Sequence, residues 1–214
     1  DRLRTLITHL RRPLASAPPP TDRTVWPMNQ QAMNEQAMNT RTAALDDLLR
    51  RLYPICRSIA GPGARATLDL VADEVPLERR RVASGTQVLD WVVPDEWELR
   101  EAWIARADTG ERVIDTADTN LHVVSHSTPV RTRLSLDDLQ SHLFSLPDRP
   151  SWVPYRTSYY APSWGFCVSQ DQRDALAPGD YDVVVDTRLE PGVLEWGELV
   201  VPGATPDEVL VTTH

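Results

Sequence analysis

The chain has 214 residues, 22 basic and 31 acidic, with a formal net charge of −9, and every basic residue other than histidine is arginine. The acidic balance and the lack of a basic run argue against nucleic acid as a partner, and no apolar run approaches the ~18 to 20 residues of a membrane span. Two cysteines set no disulfide framework and fit a reducing compartment, so we expect a cytoplasmic protein.

The first 41 residues differ from the rest in composition. Three prolines stand at positions 18–20, and the tetrapeptide QAMN occurs at 31–34 and again at 36–39. Such a polar tract buries too little apolar surface to offset its ordering entropy, so we expect residues 1–41 to form a disordered or non-native leader. Helical order is predicted to begin near Thr42, because four leucines then share one helical face (Leu45, Leu48, Leu49 and Leu52).

A second helix is predicted from Ala64 to Glu74, ended by Pro76. The apolar period then changes from about 3.6 residues to 2, which is typical of strands. Strands are predicted over residues 86–93, 97–106, 112–115 and 121–127, with the hairpin turn Asp108-Thr109-Gly110 between the second and the third.

Two short helices carry capping signals. Ser135 can accept a hydrogen bond from the backbone N–H of Asp138, and Ser169 with Gln172 matches a capping box. After the second of these helices, residues 181–186 predict a strand and residues 193–201 its partner. Residues 209–213 form a short β-branched apolar run that predicts a buried strand.

This order of elements predicts an α/β fold in which an inserted β-rich domain interrupts the main unit. The predicted parts are the leader, the first part of the main unit, the inserted domain with short helices, and the return to the main unit (residues 1–41, 42–94, 95–178 and 179–214).

Six of the fourteen aromatic residues fall in the aromatic segment, residues 151–169 (SWVPYRTSYYAPSWGFCVS). Its prolines and Gly165 forbid a long helix, so the segment should be extended and turning. One interpretation is a packing centre, because buried rings contribute a large apolar area. The other is a wall that contacts substrate, with the candidate binding residues Arg156, Tyr159, Tyr160 and Trp164.

His214 follows the predicted buried strand and is the candidate metal ligand, because ligands in α/β folds lie at the carboxyl ends of strands. The alternative is a histidine with no metal role. His122 and His126 share one face of a predicted strand, where metal binding competes with ordinary hydrogen bonding. Cys56 and Cys167 are expected to pack as small apolar side chains, and no residue is assigned as catalytic.

Longer motifs add a resemblance. LYPICRSIAGPG at 52–63, YRTSYY at 155–160, WGFC at 164–167 and the closing VLVTTH at 209–214 occur in that order. With NLHVV at 120–124 and VPDEW at 93–97, they resemble a bacterial family of aminopeptidase-like proteins related to co-catalytic zinc aminopeptidases. The similarity extends over roughly residues 45 to 214.

The resemblance implies a parallel-sheet α/β core with an inserted β-rich domain, and zinc as cofactor. In such relatives a histidine at the end of a core strand binds one of two metals, an aspartate bridges both, and a glutamate acts as general base. Only the histidine has a counterpart in this chain, at His214. Peptides or aminoacyl small molecules are the implied substrates.

We therefore expect this chain to be the N-terminal portion of a zinc-dependent aminopeptidase-like protein, with an incomplete core and without activity on its own. We also expect self-association through the edge of an unpaired strand at residues 209–213. The alternative is a non-catalytic module that binds peptide or carbohydrate through the aromatic segment.

Overall fold

A computed structural model describes residues 28–158, 161–203, 205 and 207–213. The chain divides into two compact units, with the boundary between Ala44 and Leu45. The helices are α1 (Met28–Leu52), α2 (Pro62–Glu74), α3 (Leu136–Leu139) and α4 (Gln170–Asp174), and 3-10 turns cover Asn120–His122 and Gln140–His142. The strands are β1 (Glu78–Ala83), β2 (Gln87–Val88), β3 (Trp91–Val92), β4 (Glu96–Arg106), β5 (Arg112–Asp115), β6 (Val130–Ser135), β7 (Leu143–Phe144), β8 (Phe166–Cys167), β9 (Asp180–Glu190) and β10 (Val193–Glu198).

The helix-ending proline and the two capping signals identified in the sequence act as expected. The predicted second helix is confirmed as α2, which has Pro62 in its first turn and ends before Pro76. Ser135 caps α3, and Ser169 forms a complete capping box with Gln172 at the start of α4. Helix α1 differs from the prediction because it begins at Met28, so residues 28–41 are helical.

A four-stranded antiparallel sheet in the order β5-β4-β9-β6 is the main sheet of the second unit. The predicted strand at 97–106 and its hairpin return at 112–115 are confirmed as β4 and β5. Alternate residues of β9 (Tyr181, Val183 and Val185) are buried on the face of the sheet that the core covers, and Val184 on the opposite face is buried as well.

The hydrophobic core lies on this covered face. Its largest fully buried side chains include Tyr181 of β9, Ile104 of β4, Ile114 of β5, Leu139 of α3 and Phe166 of β8. Helix α3 and the end of the aromatic segment therefore cover the core side of the sheet. This mixture of helix and sheet agrees with the α/β class, but the pairs of strands are antiparallel among the described residues except for the two-residue pair β7–β8.

Three strand predictions were wrong in part. Residues 86–93 form the β2–β3 hairpin, with Leu89 in the left-handed region at φ 55° as part of its turn. Residues 121–127 form no strand, because a 3-10 turn opens the stretch and His126 has φ 65°. Strand β10 pairs with β1 and not with β9, although only two residues separate β9 from β10.

The buried strand predicted at residues 209–213 is also wrong for the structure. These residues form no strand and have no strand partner among the described residues, and Val209 is 88% exposed. A strand requires a partner for its backbone groups, so the apolar run alone does not make one. The parallel core implied by the resemblance likewise has no counterpart in the described part. None of the described helices is long and apolar enough to span a membrane.

Candidate functional site

The aromatic segment serves both packing and surface roles. Phe166, Cys167 and Val168 are completely buried in the core. Trp152 and Tyr155, nearer the start of the segment, are more than half exposed. The packing interpretation therefore describes the end of the segment, and substrate contact at its exposed start stays a prediction.

The predicted binding residues lie in contacts within the protein where they are described. The Arg156 guanidinium lies 4.0 Å from the centre of the Phe144 ring, and the Trp164 ring stacks on His142 at 3.6 Å and an interplanar angle of 6°. Tyr159, Tyr160 and His214 lie outside the described residues. Contact of any of these residues with substrate stays a prediction.

A cleft of about 200 Å³ lies where the aromatic segment meets the loop after α1, and we call it the Tyr53–Tyr155 cleft. It is lined by Tyr53, Ile55, Cys56, Arg57, Trp97, Asn120, Leu121, Val123, Ser125 and Tyr155. Trp97, Val123 and Ser125 are buried and form its floor, whereas Tyr53 and Tyr155 are exposed at its rim. It combines aromatic walls with a few polar groups, as small-molecule sites do.

Close packing fixes the loop after α1, which contributes four of the ten residues that line the cleft. The backbone N–H of Trp97 donates to the Ala60 carbonyl at 3.1 Å. Gly61 has φ 138°, and a Cβ at this position would lie 2.4 Å from the Trp97 carbonyl oxygen. A Cβ at Gly63 would lie 2.0 Å from the Cys56 carbonyl oxygen. The two glycines therefore allow the loop to lie directly against β4 and the start of α2.

The opposite side of the cleft is joined to both neighbouring segments. The Asn120 side-chain amide donates to the Tyr53 carbonyl at 3.3 Å. The Ser125 N–H donates to the Arg156 carbonyl, and the Ser125 carbonyl accepts from the Ser158 N–H, both at 2.9 Å. These bonds connect Asn120 to the loop after α1 and Ser125 to the aromatic segment.

The Ser125 hydroxyl is the unusual polar group of the cleft. Ser125 is 5% exposed, and its Oγ has no hydrogen-bond partner among the described residues. A buried hydroxyl without a partner costs free energy, so native proteins rarely leave one unless a water or ligand reaches it.

The cleft has one charged side chain, Arg57, and one thiol, Cys56, among its described lining residues. Arg57 donates through Nη1 to the Leu52 carbonyl and to the Thr67 hydroxyl, each at 3.2 Å. Burial raises the pKa of the Cys56 thiol, and the Arg57 charge opposes this effect only in part. The thiol is therefore neutral at pH 7, which makes Cys56 a poor nucleophile.

Cys167 is also unsuited to nucleophilic chemistry. Burial raises the pKa of its thiol to about 11, although the nearby Arg156 charge acts in the opposite direction. The side chain is completely buried in the core. The expectation that it packs as a small apolar residue agrees with this position.

The histidine pair does not form a metal site. The His122 Nδ1 lies 2.8 Å from the Cys167 carbonyl and so donates to it, and its Nε2 lies 3.4 Å from the Gln172 side-chain amide. Burial lowers the pKa of His126 to about 4, so this ring is neutral at pH 7. No group of three or more metal-ligating side chains occurs among the described residues, which therefore do not fit a zinc ion.

The cleft residues Tyr53, Asn120 and Ser125 were missed by sequence reasoning. Tyr53 and Asn120 occur inside quoted motifs, but no spacing marks either as a ligand contact. Ser125 lies in the stretch that was predicted to be a strand, and its unpaired hydroxyl becomes evident only when the fold surrounds it. Motif membership was the one available signal.

Much of this chain is similar to known proteins. Residues 96–188, from β4 to β9, match a family model described as "Domain of unknown function (DUF2172)". A Clostridium acetobutylicum protein named "Putative polysaccharide biosynthesis protein with aminopeptidase-like domain" is 45% identical over 168 residues, which cover 78% of this chain and 38% of the relative.

A solved structure gives the same relationship. The crystal structure of a "putative peptidase" from Clostridium acetobutylicum matches with a TM-score of 0.70 and 41% identity, over 78% of this chain and 40% of that one. The chain thus spans about two fifths of the length of each relative. These similarities support a relationship to aminopeptidase-like proteins.

Proposed function

We propose that this chain is the N-terminal portion of an aminopeptidase-like peptidase and contributes the four-stranded sheet and the Tyr53–Tyr155 cleft, but not the hydrolytic centre. The observation that carries the proposal is the 45% identity over 168 residues to a protein named for its aminopeptidase-like domain. The 0.70 TM-score to a peptidase-named structure supports it.

We also propose that the complete protein depends on zinc, because the sequence motifs of this chain resemble a family related to zinc aminopeptidases. The described residues offer no ligand set, and the assigned ligand His214 lies outside them. A catalytic zinc site requires about three protein ligands and a base, so one histidine does not build it. We infer that the chain alone neither holds zinc stably nor hydrolyses peptides.

A hydrolysis assay tests the activity. The chain is incubated with aminoacyl-4-nitroanilides with and without added Zn²⁺, beside the full-length Clostridium acetobutylicum relative as control. We expect release of nitroaniline by the relative and none above background by the chain. Zinc-dependent turnover by the chain would overturn the proposed division of roles.

Zinc titration by calorimetry tests the metal assignment separately. We expect weak binding by the chain, which becomes weaker still in His214→Ala because the assigned ligand is removed. Tight stoichiometric binding that is the same in both proteins would place the ligands elsewhere.

Location and partners complete the proposal. Cys56 and Cys167 are both unpaired in the structure, which suits a reducing compartment and supports a cytoplasmic location. The net charge of −9 disfavours nucleic acid as a partner. Peptides or aminoacyl compounds are the proposed substrates of the complete protein.

A second candidate function is a non-catalytic module that binds peptide or carbohydrate. The exposure of Trp152 and Tyr155 favours it, since exposed rings can stack on sugars or apolar side chains. The name of the relative in polysaccharide biosynthesis also points to carbohydrate. Binding to oligosaccharides or peptides that is unchanged by Arg156→Ala and Tyr159→Ala would remove this candidate.

A further inference from the structure

The Tyr53–Tyr155 cleft carries one formal charge among its described lining residues, and it is positive. Its source, Arg57, has no carboxylate within ion-pair distance among the described residues, although the chain has an excess of acidic residues. Other arginines, such as Arg65 and Arg133, do pair with carboxylates. The positive charge of Arg57 is therefore available to an anion.

The hydrogen bonds of Arg57 also leave one edge of its guanidinium available to an anion. Both of its hydrogen bonds to the protein use Nη1, at 3.2 Å to Leu52 and to Thr67. They anchor one edge of the guanidinium and leave Nε and Nη2 without a bond to the described residues. That pair of N–H groups forms the fork that binds a carboxylate through two parallel hydrogen bonds.

Ser125 supplies a second and independent indication of a ligand. Ser125 lines the cleft, and its buried hydroxyl has no protein partner among the described residues and can donate one hydrogen bond. The exposed rings of Tyr53 and Tyr155 stand at the rim and can contact an apolar or ring-shaped body. The volume of about 200 Å³ accommodates a group about the size of one amino acid or one sugar ring.

We propose that the Tyr53–Tyr155 cleft binds a small molecule that carries a carboxylate on an apolar or ring-shaped body. Arg57 holds the carboxylate through its Nε and Nη2 edge, and the Ser125 hydroxyl donates to an oxygen of the ligand. This site does not depend on the peptidase proposal, because neither Arg57 nor Ser125 is assigned a role in metal binding or hydrolysis. N-acylated amino acids and uronic acids both have the required chemistry.

Matched pairs of ligands test the role of the carboxylate. Calorimetric titrations compare N-acetyl-leucine with N-acetyl-leucinamide, and glucuronate with glucose. We expect binding of at least one acid and at least tenfold weaker binding of its uncharged partner, the size typical for losing a charge-assisted hydrogen bond. An amino-acid preference would identify a peptide-like source and a glucuronate preference a sugar source. Failure of both acids, or equal binding of acid and neutral partner, would overturn the proposal.

Three variants separate the site from general effects of charge or folding. Arg57→Gln removes the charge, Ser125→Ala removes the unpaired hydroxyl, and Arg131→Gln on β6 removes a charge that does not line the cleft. We expect Arg57→Gln to weaken acid binding about tenfold or more and Arg131→Gln to leave it unchanged. Ser125→Ala should weaken binding while keeping the melting temperature, since it breaks no hydrogen bond among the described residues. Wild-type affinity in folded Ser125→Ala and Arg57→Gln would contradict the assignment.

The thiol of Cys56 gives a readout that requires no activity. Cys56 lines the cleft and is half-buried, whereas Cys167 is completely buried, so N-ethylmaleimide should label Cys56 first. The bound acid should slow this labelling at saturating concentration, and the neutral partner should not. Labelling that is equally fast with and without an acid that binds would place that acid outside the cleft.

Discussion

At the scale of single residues, His126 connects local backbone conformation to a dependence of stability on pH. It is 4% exposed, lies about 6.0 Å from the Trp97 ring, and has φ 65°. Burial lowers its pKa from 6.5 to about 4. The unfolded chain therefore binds more protons than the folded chain between these two pH values, and stability is lost as pH falls through that window.

We predict that His126→Asn flattens this dependence, because asparagine tolerates the left-handed region and does not titrate. The wild-type chain should lose about 3 kcal/mol of unfolding free energy between pH 6.5 and 4 through this group, by the conversion of pKa shifts to free energy. Urea unfolding at a series of pH values measures it. An equal slope in both proteins would show that other groups cause the acid sensitivity.

Ser125 and Ser127 allow a matched comparison of buried hydroxyls. The Ser127 Oγ donates to the Val124 carbonyl at 2.6 Å, whereas the Ser125 Oγ has no partner among the described residues. We predict that Ser127→Ala lowers the unfolding free energy by about 1 to 2 kcal/mol and that Ser125→Ala leaves it equal or higher. Chemical denaturation measures both. A larger loss in Ser125→Ala would reveal a structural role for its hydroxyl.

At the scale of elements, an ion pair connects α2, β4 and the turn between β9 and β10. Arg65 of α2 donates to both carboxylate oxygens of Glu96, at 2.6 and 2.8 Å, and the Val193 N–H donates to the same carboxylate at 2.9 Å. A Cβ at Gly192 would lie 2.4 Å from Glu96 Oε1, so the turn packs against this side chain. The Arg65 hydrogen bond lowers the pKa of Glu96, so this stabilisation is lost as pH falls through the lowered pKa.

We predict that Glu96→Gln lowers the unfolding free energy by about 1 to 3 kcal/mol, the range for a hydrogen bond to a charged group. Glu190→Gln is the matched control, because Glu190 pairs with Arg188 at an exposed position and its loss should have no measurable effect. Urea midpoints of the two variants provide the measurement. Equal midpoints would mean that the Arg65–Glu96 pair does not stabilise the fold.

Local signals in the sequence correctly predicted the helices and strands whose ends are set by neighbouring residues. Proline and capping residues located α2, α3 and α4, and alternation with a turn signal located β4 and β5. The pairing of β10 with β1 joins segments that are far apart in sequence, and no local signal in either segment specifies its partner. The same holds for the cleft, whose residues come from four separate parts of the chain.

At the scale of the whole molecule, apolar side chains remain exposed in several parts of the second unit. Leu45 and Leu49 of α1 are each 58% exposed, and the run from Val209 to Val211 is mostly exposed. We predicted self-association through the edge of a strand at residues 209–213, but these residues form no strand. Self-association therefore stays a prediction, for which the exposed apolar side chains are the remaining support.

The central claim is that this chain corresponds to the matched portion of an aminopeptidase-like protein. The most direct measurement is hydrolysis of aminoacyl-4-nitroanilides by a chimera in which the 168 matched residues of the Clostridium acetobutylicum relative are replaced by those of this chain. We expect parent and chimera both to hydrolyse these substrates with comparable kcat/KM. An active parent with a folded but inactive chimera, or a parent without peptidase activity, would contradict it.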